Sequence, residues 1–156
     1  MINKIILASK SGVRKKILNQ NGINCEVIPS NVDEDQIKET LEQEKAGPEI
    51  ISKNLAELKA NKVSVKTPEE LVLGADSVID LDNKLISKPK NREEALNILK
   101  KLNGKKHRLI SSVCICKNGS MVWNFTDAAT LTMKQLNLDE IKSYLEKIRD
   151  KELYAY

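Results

Sequence analysis

An aspartate interrupts an apolar, strand-like run near the middle of the chain. Leu71-Val72-Leu73 stops at Gly74-Ala75, Asp76 follows at once, and β-formers resume at Val78-Ile79. A carboxylate inside an apolar strand is costly unless a metal, a cation or hydrogen bonds compensate it. A polar turn, Leu81-Asp82-Asn83-Lys84, then leads to Leu85-Ile86 and to Ser87-Lys88-Pro89. Proline biases Lys88 toward an extended backbone and so fixes its direction. An acid and a lysine at the ends of neighbouring strands suit a site that handles a metal and a phosphorylated ligand.

The flanking sequence reads as alternating strands and helices. Lys4 to Ala8 is a buried strand, and Ser9 or Ser11 can cap a helix reaching Gln20 with Val13, Ile17 and Leu18 inward. Cys25 to Ile28 is a short strand. Asp33 caps a helix over Asp35 to Glu44, and Gly47-Pro48 opens a longer one to Val63 with Ile51, Leu55, Leu58 and Lys62 near one side. Asn91, with Glu94 in the capping-box position, starts a helix over Arg92 to Leu102. Arg108 to Cys116 and Met121 to Met133 are extended and joined through Asn118-Gly119, a strong hairpin signal. Asn137 and Glu140 start the last helix, with Ile141, Tyr144 and Leu145 inward. A parallel-plus-hairpin sheet with helices between its strands is an α/β pattern.

At 156 residues the chain is expected to be a single domain, 1–156. Aromatics make up 3%, so aliphatic side chains must fill the core. The net charge of +4 comes without a long basic run, which argues against nucleic acid and still favours capture of a small anion. Three cysteines, Cys25, Cys114 and Cys116, form no C-x-x-C pair, and the odd count argues for reduced thiols in a cytoplasm. Cys114 and Cys116 share a strand face and read as packing residues. The apolar run at Ile5 to Ala8 is too short for a membrane span. His107 is the single histidine, so no histidine-based triad or zinc set is available.

Several segments invite two readings. Ser9-Lys10-Ser11-Gly12-Val13-Arg14-Lys15 joins a strand end to a helix start, where free N–H groups and the helix dipole attract anions. It is also an ordinary cap followed by solvated basic residues. Asp33-Glu34 follows Val32 in a sharp polar turn and reads by itself as a helix cap. Lys59 sits in a helix where a lysine normally lies on the surface.

The order of motifs resembles the Maf family of nucleoside triphosphate pyrophosphatases. The chain has LASKSGVR (Leu7 to Arg14) where the family reads L-A-S-x-S-P-R-R, then LAELKA (Leu55 to Ala60), GADSVI (Gly74 to Ile79), SKP (Ser87 to Pro89) and NGKKH (Asn103 to His107). The resemblance implies an inosine-triphosphatase-like α/β fold: a mixed twisted sheet flanked by helices, in two lobes with a central cleft. It implies water attack on a nucleoside triphosphate, giving the monophosphate and pyrophosphate. Glu34 and Asp76 become catalytic residues and ligands of Mg²⁺ or Mn²⁺. Ser9, Ser11, Arg14, Lys59 and Lys88 become substrate-binding residues. Gly12 and Val13 stand where the family has proline and arginine, so one phosphate-binding cation is missing, with Lys10 or Lys15 as its replacement. GADS is closer to the pyrimidine-type members than to those acting on methylated guanine nucleotides.

The family continues beyond the point matched by Tyr154-Ala155-Tyr156. The resemblance therefore implies a shortened C-terminal segment, weaker base discrimination, and an exposed sheet edge favouring a homodimer. The rival reading is a non-catalytic nucleotide-binding or regulatory protein linked to septum formation.

Overall fold

The computed structural model describes residues 4–153, so the expectations placed on Tyr154-Ala155-Tyr156 lie outside the described residues. Its centre is a mixed six-stranded sheet flanked by helices. β1 (Ile5–Leu7), β2 (Cys25–Val27) and β3 (Val72–Leu81) are parallel, and β5 (Lys106–Lys117) and β6 (Ser120–Thr132) continue the sheet antiparallel, in the order β2-β1-β3-β5-β6. The short β4 (Lys84–Ile86) folds back on the end of β3. The turn between them has Asp82 and Asn83 both at positive φ (52° and 60°), and the β5–β6 turn has Asn118 and Gly119 likewise (51° and 75°). Positive φ at both central residues is the requirement of a tight two-residue hairpin, which explains the polar residues at these points.

The pairing of β3 leaves an opening in the sheet. β5 runs beside it from Val72 to Asp80, but on its other edge β1 pairs only at Val72 and Leu73 and β4 only from Ile79 onward. Gly74 to Val78 therefore have no strand on that side, and Asp76 lies at the middle of the gap. Such openings beyond the carboxyl end of a parallel strand, where the chain departs in a new direction, are where α/β sheets place ligands.

Helix α3 (Pro48–Ser64) packs across one face of β3 and β5, and its buried residues include Ile51, Ser52, Leu55, Ala56, Lys59, Ala60 and Val63. Ala56, Ala60 and Val63 meet Ile6, Ala8, Val72, Cys114 and Cys116 in the main core. Both cysteines pack there as expected, and burial, reinforced by neighbouring Cys116, pushes the Cys114 thiol up to about 12. Gly74 sets the separation of the layers. A Cβ at that position would lie 2.1 Å from the carbonyl oxygen of Ala56 and 2.6 Å from the nitrogen of Ala60. Neither is a flexible side chain, so any residue but glycine pushes α3 off the sheet.

The other helices begin at the expected caps. Ser11 caps α1 (Gly12–Gln20), Asp33 caps α2 (Glu34–Gln43), Asn91 caps α4 (Arg92–Leu102), and Asn137 with Glu140 forms a reciprocal capping box on α5 (Leu138–Lys147). Arg92 joins the last two, donating to the carbonyls of Leu145 (2.7 Å) and Ile148 (2.8 Å) and to Asp150 Oδ1 (2.7 Å). Asp150 begins the short α6 (Asp150–Leu153), whose Leu153 packs with Ala95 and Leu145.

Several inward assignments are corrected. Val13 and Ile17 are exposed, and α1 buries no residue at all, because it lies beside the short edge strand β2 instead of over the sheet. Leu58 and Lys62 are exposed, since the close contact at Gly74 rotates Ala56, Lys59 and Ala60 toward the sheet. Tyr144 is exposed, while Ile141 and Leu145 are buried as expected. The Gly74→Ala variant is expected to lose about 3 kcal/mol of stability by overpacking, a fall in Tm of roughly 6–12 °C. Gly12→Ala, with no atom within 4 Å of the added carbon, is the control and should leave Tm nearly unchanged.

Candidate active site

The residues implicated by sequence come from five segments, and the fold brings them to the gap in the sheet. Asp76 lies on the α3 side of β3, with Gly74 two residues before it. Because Gly74 admits the backbone of α3, Lys59 reaches across and its Nζ lies 2.8 Å from Asp76 Oδ1. The same ammonium is 2.9 Å from Glu34 Oε1 at the start of α2. Lys59 is 4% exposed and Asp76 is 4% exposed, so this is a buried ion pair and not a surface contact. The Ser52 hydroxyl donates to the carbonyl oxygen of Asp76 at 3.3 Å, satisfying backbone that has no strand neighbour at the gap.

Arg14 enters from the first turn of α1. Its Nη1 donates to Ser9 Oγ at 3.1 Å, and Ser9 Oγ also accepts from the backbone of Ser11 at 3.2 Å. Ser11 in turn caps the helix by accepting from the nitrogen of Arg14 at 3.3 Å. The two serines thus fix the strand-to-helix turn and aim the guanidinium. Burial draws the Arg14 pKa below its ordinary value, against the pull of the Asp76 and Glu34 charges. Lys88 follows β4 on the far side of the gap and remains exposed. Partial desolvation holds its pKa low. Glu34 and Asp76 oppose that effect, and Lys38 and Lys59 add to it. Lys10 and Lys15, the expected replacements for a missing cation, both point into solvent.

The two carboxylates differ. Burial works to raise Glu34, but its contact with Lys59 and the charges of Lys59, Lys38 and Lys88 outweigh it and hold the pKa below the usual glutamate value. Asp76 is raised, because burial outweighs Lys59. Its Oδ2 is buried and has no hydrogen-bond partner among the described residues. A buried carboxylate oxygen without a partner is expensive, and such an atom marks a place where a cation or a proton is expected.

One member of this cluster had no sequence assignment. Lys38 is buried, with Nζ 3.9 Å from Glu34 Oε2. The usable signal was its spacing, four residues after Glu34 on one helix. His107 stands apart on β5, with its Nδ1 buried and unpaired among the described residues, and does not join the cluster.

The profile of the Maf-like protein family matches residues 4–153. The chain belongs to the Maf family. It is 67% identical over 156 residues to a nucleoside triphosphate pyrophosphatase of Pelagibacter ubique (strain HTCC1062), covering 100% of this chain and 80% of that protein. It is 35% identical over 153 residues to a 7-methyl-GTP pyrophosphatase of Rhizobium etli, covering 98% of this chain and 77% of that protein. Among solved structures, a HAM1 protein from Coxiella burnetii gives a TM-score of 0.47 at 13% identity, over 81% of this chain and 70% of that one. No helix among the described residues is long and apolar enough to cross a membrane.

Replacing Lys59 tests the electrostatic core of this cluster. Lys59→Met leaves Asp76 buried without its hydrogen-bonded counter-ion, at a cost of about 3 kcal/mol near neutral pH. A folded-state pKa raised above the unfolded value means that the folded chain binds the Asp76 proton more firmly. The carboxyl therefore favours the fold at low pH and opposes it as pH rises through that pKa. The stability deficit of Lys59→Met should widen from acidic to neutral pH in denaturant titrations. A deficit independent of pH would remove Asp76 as its cause.

Proposed function

We propose that this chain hydrolyses a nucleoside triphosphate to the monophosphate and pyrophosphate, with the phosphates seated in the gap beside Asp76. The observation that carries the reading is the partnerless, buried Oδ2 of Asp76 within a cluster of cations. The Maf membership and the activities named for its relatives support the same reaction.

In this reading a water oxygen forms a bond to the α-phosphorus while the bond from that phosphorus to the bridging oxygen breaks. The pyrophosphate departs with the bonding electrons. Asp76, whose pKa is raised by burial, would take the proton released by the water. Arg14, Lys59 and Lys88 meet the negative charge on the phosphates and the leaving group, and preorganised charges of this kind are the main resource of phosphoryl-transfer sites. Ser9 and Ser11 hold Arg14 and present the N-terminus of α1 to phosphate oxygens.

Glu34 and Asp76 fit a hard divalent cation, Mg²⁺ or Mn²⁺, in their chemistry. They are two carboxylates sharing one lysine, with one oxygen of Asp76 unused. Among the described residues no third metal-binding side chain joins them, so substrate phosphates and water would complete the set, as is usual for Mg²⁺. Bound there, the ion would neutralise phosphate charge and lower the pKa of water. The odd count of three cysteines supports a reducing compartment such as a cytoplasm.

The test is product analysis. Over a panel of pyrimidine, purine and methylated guanine triphosphates with Mg²⁺ or Mn²⁺, monophosphate and pyrophosphate should appear in equal amounts. Asp76→Asn should reduce turnover by roughly a hundredfold or more while nucleotide binding remains measurable. Release of orthophosphate instead of pyrophosphate would reject the assignment.

Self-association with a second copy is supported by β6. This edge strand spans Ser120–Thr132 and carries no lysine or proline, the residues that ordinarily protect such edges, while Trp123 and Phe125 stack at 6.2 Å on its exposed surface. Sedimentation should show a dimer that Phe125→Lys disperses, and a wild-type monomer at high concentration would end this idea.

A further inference from the structure

We propose that Lys38 is an additional cationic ligand of the substrate's polyphosphate, a role that rests on the hydrolase reading above. Lys38 is the one buried residue of α2, a helix whose other residues are exposed or half-buried. A lysine is among the residues least often buried, and its ammonium needs a charged partner when it is. The partner present is a poor one. Glu34 Oε2 is 3.9 Å away, beyond hydrogen-bond reach, and the other oxygen of Glu34 is already 2.9 Å from Lys59.

The charge balance leads to the same point. Among the described residues, Arg14, Lys38, Lys59 and Lys88 gather around two carboxylates, Glu34 and Asp76. Lys59 lies between both acids, which leaves Lys38 in excess. Lys38 and Lys88 repel one another across the site, so the fold holds like charges together without enough of its own counter-charge. A triphosphate carries the missing negative charge. The flexible lysine stem suits a ligand whose phosphate oxygens shift during bond cleavage.

The experiment is a calorimetric titration with inorganic tripolyphosphate, and in parallel with a nucleoside monophosphate. Wild-type protein should bind tripolyphosphate, and failure to do so would overturn both this inference and the site reading on which it rests. Lys38→Met and Lys38→Gln should each weaken tripolyphosphate binding about tenfold or more, the loss expected for one charged contact. Lys38→Arg should stay close to wild type, and monophosphate binding should change little in all three. Thermal melts without ligand show which variants are folded. Two further outcomes bear on Lys38 alone. If wild type binds tripolyphosphate and the folded variants bind it equally well, Lys38 is not a ligand. In a Glu34→Gln background, Lys38→Met should cost the same factor. Disappearance of that factor would show that Lys38 acts only as a counter-ion for Glu34, and would overturn the proposal.

Discussion

The absence of one side chain, at Gly74, governs the arrangement. With no Cβ there, the backbone of α3 at Ala56 and Ala60 settles directly on β3. Lys59 precedes Ala60, and Asp76 lies two residues beyond Gly74 on the same strand face. The contact that closes the core therefore also brings the buried ammonium to the buried carboxylate at 2.8 Å. Packing and chemistry share one cause. The same approach explains why Leu58, apolar and close in sequence, is left in solvent while a lysine is buried.

Asp76 is tolerable inside the sheet because β3 is bare there on one edge. β1 ends its pairing at Leu73 and β4 begins at Ile79, so the strand passes through an opening without a neighbour. Ser112, the neighbour of Asp76 on a strand flanked on both sides, is a small hydroxyl paired with Thr126 Oγ1 at 2.9 Å. Asp76 instead meets Lys59 and Glu34, and the Ser52 hydroxyl takes its backbone carbonyl. The strand break, the N-termini of α1 and α2, and the loop after β4 all converge on that opening, and positive partial charge at helix starts adds to the cations.

Much of this was legible in the residues. The acid in an apolar run marked the centre, the caps at Ser11, Asp33, Asn91 and Asn137 marked helix starts, and Asn118-Gly119 marked the hairpin. These signals are local, so they survive without knowledge of the fold. The failures concern direction. Val13, Ile17 and Tyr144 have helical apolar spacing, but which face of a helix is covered depends on its neighbour, and α1 lies against the narrow edge at β2. Lys38 was missed for the converse reason: a lysine on a polar helix reads as solvated until α3 and its Lys59 are in place.

Arg92 has a consequence for cooperativity. Its guanidinium, at the start of α4, satisfies carbonyl oxygens at the end of α5 more than fifty positions later. Helix ends normally complete their own hydrogen bonds with local turns or water. Here the last turn of α5 makes one local bond, from the Ile148 nitrogen to the Leu145 carbonyl, and Arg92 of another helix adds its donors, while Leu145 and Leu153 pack on Ala95 of that same helix. The two helices thus gain and lose order together as one opening unit, whose stability belongs to neither segment alone.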